Sequence, residues 1–229
     1  MRLDRIVCLA NSYKHDNRCV AGISLVTRKW VRLIGRKVPR CLTRSEVRCS
    51  DGREVSLLDV FEVEVEADCG SHYHPEDVRI AGSPWRRVRR FDKPADVDLL
   101  KSAVQTDAIV LQGYGHRIAV HEFQGTPARV SLSLLEPEDW RWRIQEIPGK
   151  RRYRANFRLG PEGRTQYDLP VTDPEWLDQL NLLPDGIHPH RLLCGNRLSQ
   201  TFLTASLSEP YEGFHYKLIA GVIVMPAVC

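Results

Sequence analysis

Between Asp139 and Leu159 the sequence reads DWRWRIQEIPGKRRYRANFRL, with arginines at alternate positions on both sides of a Pro-Gly pair. Guanidinium groups repeating every second residue leave one face of a β-strand, and their planar forks suit phosphate oxygens. If Ile147 pairs with Lys150, Arg141 lies opposite Asn156, Arg143 opposite Arg154 and Gln145 opposite Arg152. Trp140, Trp142, Ile144, Tyr153, Ala155 and Phe157 then share the other face. A one-residue slip would mix the two sets, so the alternation favours this register. An L-Pro-Gly pair is not the preferred two-residue hairpin loop, and a bulge or a longer loop is expected at the turn. Two arginines facing each other repel by up to roughly 1 kcal/mol, a cost that a bound anion would remove. Arg141, Arg143, Arg152 and Arg154 are therefore candidate phosphate contacts; the alternative is that they are solvated or paired with acids elsewhere in the chain. The tryptophans, on the opposite face, are expected in the core rather than under stacked bases.

Three further clusters carry chemistry. The loop NSYKHDNRC brings Ser12, Lys14, His15, Asp16 and Cys19 together, as an acid–base centre would need. The same loop also reads as a turn whose Lys14 and Arg18 contact phosphate, the favoured reading, because its spacing gives no complete acid–base–nucleophile set. In PWRRVRR, residues 84–90, a strand would place Trp85, Arg87 and Arg89 on one side as a mixed stacking and phosphate surface, whereas a loop would leave them solvated. Cys69, His72 and His74 are zinc-ligand types, but a fourth ligand would have to come from Cys49 or Asp68 and the spacing is not that of a finger. His188-Pro-His190 is similarly weak. The sequence has no Gly-x-Ser-x-Gly elbow for nucleophilic catalysis and no phosphate loop, and on the poor ligand spacing no metal or other cofactor is expected.

The elements that must position these residues are mostly strands. RIVCLA, CVAGISLV and KWVRLI suggest an opening meander, and VFEVEVEAD alternates Phe61, Val63 and Val65 against Glu62, Glu64 and Glu66. Residues 94–105 have helical spacing, and 173–183 read as a helix capped by Asp173 with Pro174 in its first turn. RIAVHEF, VSLSLL, TFLTASLS and HYKLIAGVIVM add strands in the second half. Mainly β, with two or three helices, the 229 residues fit two small barrels spanning 1–117 and 118–229. Hydrophobic residues make up 42% of the chain, enough for a core, but no apolar run is long enough to span a bilayer. With no apolar leader at the N-terminus, a cytoplasmic protein without membrane contact is expected. Seven scattered cysteines then read as reduced thiols, with Cys8 in the core.

Net charge is only +4, yet residues 28–53 carry nine Lys and Arg against two acids, and 54–84 carry eight acids against one Arg. This segregation permits a basic face, unless the two segments fold together and pair.

IVCLANSYKHDNRCVAGI and KWVRLI resemble the opening of the dual OB-containing domain family of prokaryotic proteins. The matching positions are Cys8 to Ser12, Lys14, Arg18 to Ile23, Trp30 and Arg32, and LLDVFEV, HYHPEDV and LSEPYEGFHYKLIAGVI continue the likeness along nearly the whole chain. VRLIGRKVPRCLTRSEVR, after Trp30, is more basic than the family pattern. The resemblance implies two tandem OB barrels and a role in binding DNA or RNA, in an antiviral-defence setting, beside a neighbouring effector protein. Lys14, Arg18 and Arg32 would then form a second phosphate patch. The rival readings are an enzyme acting on nucleic acid or a nucleotide through Lys14, His15 and Asp16, and an interaction subunit of an effector complex.

Overall fold

The alternation of apolar and polar residues in the first half resolves into six strands. The computed structural model describes residues 1–14, 17–36, 41–82, 84–160, 165–194 and 200–225. Strands β1 (Arg2–Lys14), β2 (Asn17–Ser24) and β3 (Trp30–Ile34) form the expected antiparallel meander. β4 (Asp59–Asp68) pairs with the other edge of β1, and β5 (Asp77–Ile80) runs antiparallel to β4 and parallel to β3. The order β1-β2-β3-β5-β4 thus returns to β1 and closes a five-stranded Greek-key barrel of the OB kind. β6 (Arg86–Arg90) adds to β4 from outside the ring.

β1 crosses β2 closely enough that a Cβ on Gly22 would lie 1.9 Å from the Val7 carbonyl oxygen, so this rung requires glycine. Phe61, Val63 and Val65 point into the core as their alternation predicts. Glu62 departs from that pattern: it belongs to the outer face but is buried beneath Arg5 and Arg86.

After helix α1 (Pro94–Ala103), the second half contains β7 (Arg117–Ala119), β8 (Leu132–Leu135), β9 (Glu138–Ile147), β10 (Lys150–Leu159) and β11 (Thr165–Pro170). Helix α2 (Pro174–Asn181), β12 (Gly186–Pro189), the short α3 (Arg191–Cys194), β13 (Thr201–Tyr211) and β14 (Phe214–Val224) follow. One sheet runs β11-β10-β9-β12 and the other β7-β14-β13-β8. A parallel bridge from Val171 to Ile219 joins them into a curled half-barrel. It is open between β12, on the outer edge of β9, and β8, on that of β13. Asp173 caps α2 through the Trp176 amide, as predicted, and also accepts from the Val222 amide at 2.8 Å, tying the helix to β14.

The two units are stitched by hydrogen bonds and close backbone approach. The Thr204 hydroxyl donates to the Leu9 carbonyl at 2.6 Å, and the Tyr13 amide donates to the Thr172 carbonyl at 3.2 Å. Gly221 lies so close to Leu9 that a Cβ would fall 2.2 Å from its oxygen. Among the described residues, no helix is long and apolar enough to cross a membrane.

Candidate nucleic-acid interface

The β9–β10 hairpin adopts the register that its alternation demands. Ile147 pairs with Lys150, Gln145 with Arg152, Arg143 with Arg154 and Arg141 with Asn156. Two details differ. Pro148 and Gly149 form a tight two-residue turn, which Gly149 permits by adopting φ +76°. The irregularity falls instead at the far end, between Asn156 and Arg158, so Arg158 faces Glu138. Trp140 and Trp142 are buried, and Trp142 packs 5.3 Å from Trp176 of α2.

On the outer face, Arg143 and Arg154 both reach the same Asp168 Oδ2 atom from β11, Arg154 with its Nε at 2.8 Å. The repulsion expected between them is thus relieved by a carboxylate of the chain itself, and no external anion is needed to explain the pairing. One carboxylate for two guanidiniums still leaves positive charge in excess. Arg141 stands 3.9 Å from Asp139, a loose contact between two exposed side chains. Arg152 is exposed and, among the described residues, makes no side-chain hydrogen bond or ion pair. Arg158, between the buried Phe157 and Leu159, continues the alternation of β10 beyond the irregularity and is also exposed.

The other candidate arginines lie elsewhere. Arg18 is buried, donates to Glu54 at 2.8 and 3.1 Å and lies 4.3 Å over the Tyr13 ring. Arg32 is buried between the two units, donating to the Ser131 carbonyl at 3.3 Å and the Ser206 hydroxyl at 3.2 Å, with Asp77 3.5 Å away. It pins one unit to the other and does not face solvent. Lys14 ends β1 opposite Asn17, its side chain outside the described residues. His15 and Asp16, the other members of the acid–base reading, also lie outside them.

In β6, Arg87 pairs opposite Phe61, on which Trp85 stacks, but a register shift between Val60 and Phe61 puts Arg89 opposite Val60, so the expected common side and stacking surface do not form. Trp85 is wholly buried, stacked 4.8 Å from Phe61, while Arg87 is tied to Asp51 and Asp59 and Arg89 makes two 2.7 Å bonds to Asp96. The segregated charges of 28–84 meet in part, Arg32 with Asp77 and Arg36 with Glu66. His72 and His74 turn to the carbonyls of Phe123 and Leu207, and no three His, Cys, Asp or Glu among the described residues could hold a metal. Cys8 is a buried free thiol whose pKa burial pushes well up, matching its core reading.

A second feature was not legible in the sequence, because it is assembled from segments far apart along the chain. A cleft of about 440 Å³ opens between the two units, walled by Tyr13, Arg32, His74, Pro170, Tyr211 and Tyr216. Tyr13 and Tyr211 are exposed, and Tyr216 is half-buried. The cleft adjoins the arginine face where Pro170 is the cross-strand partner of Arg154, and on the other sheet it reaches β7, where Arg117 is the partner of Tyr216. Arg117 lies 3.9 Å over the Phe214 ring, and neighbouring His116 is held below the usual imidazole range by burial and by the charges of Arg117 and Arg154.

OB barrels commonly bind single strands or other oligomers on a sheet face and its flanking loops. No curated protein matches this chain. The family model for the dual OB-containing domain matches residues 4–222, and the chain belongs to that family.

Proposed function

We propose that this protein binds single-stranded nucleic acid, without catalysing a reaction on it, through the outer face of β9, β10 and β11. The observation that carries the reading is the incomplete neutralisation of that face: Arg143 and Arg154 share the one carboxylate of Asp168, Arg141 has only a loose contact with Asp139, and Arg152 is committed to no described partner. A sheet with its aromatics turned inward and its guanidiniums outward grips phosphate without reading sequence. Arg18, Arg32, Arg87 and Arg89 are left out of this contact set, since breaking their ion pairs would cost more than an exposed phosphate contact returns.

The test is a titration with labelled single-stranded and double-stranded DNA and RNA at several salt concentrations. Binding should weaken steeply with salt, and each of Arg141→Ala and Arg152→Ala should flatten the logarithmic salt slope for single strands by about 0.7. No binding at low salt would overturn the reading and turn the search to an acidic partner protein.

A further inference from the structure

We propose that the cleft between the two units is a nucleobase pocket, which takes one base of a single strand whose flanking phosphates lie on the arginine face. The inference rests on the phosphate-binding reading above and adds to it a site on a different surface, built from both units. The cleft's volume of about 440 Å³ falls within the range of roughly 300–1,000 Å³ typical of sites that bury small ligands. Its aromatic walls come from elements distant in sequence: Tyr13 from β1, Tyr211 from β13 and Tyr216 from β14. Tyr211 is 65% and Tyr13 44% exposed, the latter with one ring face covered by Arg18. The hairpin tryptophans, by contrast, are fully committed to the core. A ring held at a cleft wall with a face open to solvent offers the sequence-tolerant stacking that a planar base can use.

Position identifies the occupant. The cleft meets the arginine face where Arg154 pairs with Pro170, and it meets Arg117 of β7 where that residue pairs with Tyr216. A strand running along those arginines therefore has cationic groups beside the cleft mouth, where its phosphates must lie if a base turns inward. The hydroxyls of Ser206 and Ser208 line the same cleft; each donates to a neighbouring carbonyl and accepts one bond from the chain, which leaves one acceptor lone pair on each for a base edge. Beneath them the Arg32–Asp77 pair and the bond from Arg32 to Ser206 hold the two units at a fixed separation, so the gap is pre-formed.

Labelled single strands of equal length, one with ordinary bases and one wholly abasic, test this with the full chain, with a nucleoside monophosphate as a third probe. The parent protein should bind the ordinary strand at least about tenfold more tightly than the abasic one. Tyr211→Ala and Tyr13→Ala, both at exposed positions, should remove that preference and leave the salt slope unchanged, whereas Tyr211→Phe, which keeps the ring, should retain it. Equal affinity of the parent for both strands overturns the pocket and leaves the phosphate face standing. Absence of binding to either strand removes both. If the free nucleotide binds as tightly as the strand, the strand-borne base is overturned in favour of a small-molecule site.

Discussion

The closed barrel and the curled half-barrel are both rich in arginine, yet they use it in opposite ways. In the barrel many basic side chains meet an acid: Arg5 and Arg86 meet Glu62, Arg87 meets Asp59, Arg89 meets Asp96 and Arg18 meets Glu54. Arg5 and its neighbour hold the Glu62 carboxyl below its ordinary pKa, as expected where the charged form is hydrogen-bonded. In the half-barrel Asp168 answers two arginines, and Arg152 answers none described. Arginine density therefore says little by itself; what distinguishes a structural arginine from an available one is the acid that strand pairing brings beside it.

The largest test of this contrast is thermodynamic. Arg32→Ala would leave Asp77 buried without its cation, and a broken buried pair costs about 3–5 kcal/mol. Arg152→Ala should change stability by no more than about 0.5 kcal/mol. Urea denaturation followed by tryptophan fluorescence measures both. Comparable midpoint shifts in the two variants would remove the distinction.

A second contrast concerns titration. Where the barrel pairs its buried charges, the half-barrel holds buried groups towards their neutral forms. Burial raises Asp173 to about 6 from 3.8 and lowers His190 to about 4 from 6.5, the latter with its ring 3.8 Å from that of Trp140. The raised carboxyl contributes stability that is present below about pH 4 and is lost as pH rises through 6. The depressed imidazole contributes stability that is present above about pH 6.5 and is lost as pH falls towards 4. Each contribution is worth about 3 kcal/mol, and over the shared window they oppose each other. Stability of the parent should consequently be nearly flat across that window as far as these two groups determine it. In His190→Phe it should fall with rising pH, and in Asp173→Asn it should rise. Parallel profiles in the two variants would show that these groups do not govern the window.

Much of this was open to sequence reasoning, for local reasons. The hairpin register follows from a strict period of two, and α2 from an Asp-Pro start that leaves few alternatives. Likewise, Trp140 and Trp142 had to be core once the arginines faced outward. What escaped was everything set by long-range pairing. Asp168 meets Arg143 and Arg154 only because β11 joins β10, and Arg32 reaches Ser131 and Ser206 only because the two units dock. Trp85 is adjacent to four arginines in sequence but is buried against Phe61 in space. The cleft, drawn from both units, has no local signature at all.

The smallest test is the sharpest, because it compares adjacent residues of one type. Arg151 and Arg152 sit side by side on β10, and alternation sends them to opposite faces. Arg151 turns under the sheet to the end of α2, where it donates to the Asn181 carbonyl at 3.0 Å and to the Asn181 side-chain oxygen at 3.1 Å. It also reaches the Leu183 carbonyl, so one guanidinium satisfies acceptors that the helix terminus leaves open. Arg151→Ala should therefore cost about 1–2 kcal/mol of stability and leave the salt slope of strand binding unchanged. Arg152→Ala should do the reverse, flattening that slope by about 0.7 with little change in stability. Measured together, the two variants ask whether the pleat alone separates an arginine that holds the fold from one that is free to hold a ligand. If both variants lose stability and neither changes the slope, the outer face is structural too, and the contrast between the two units disappears.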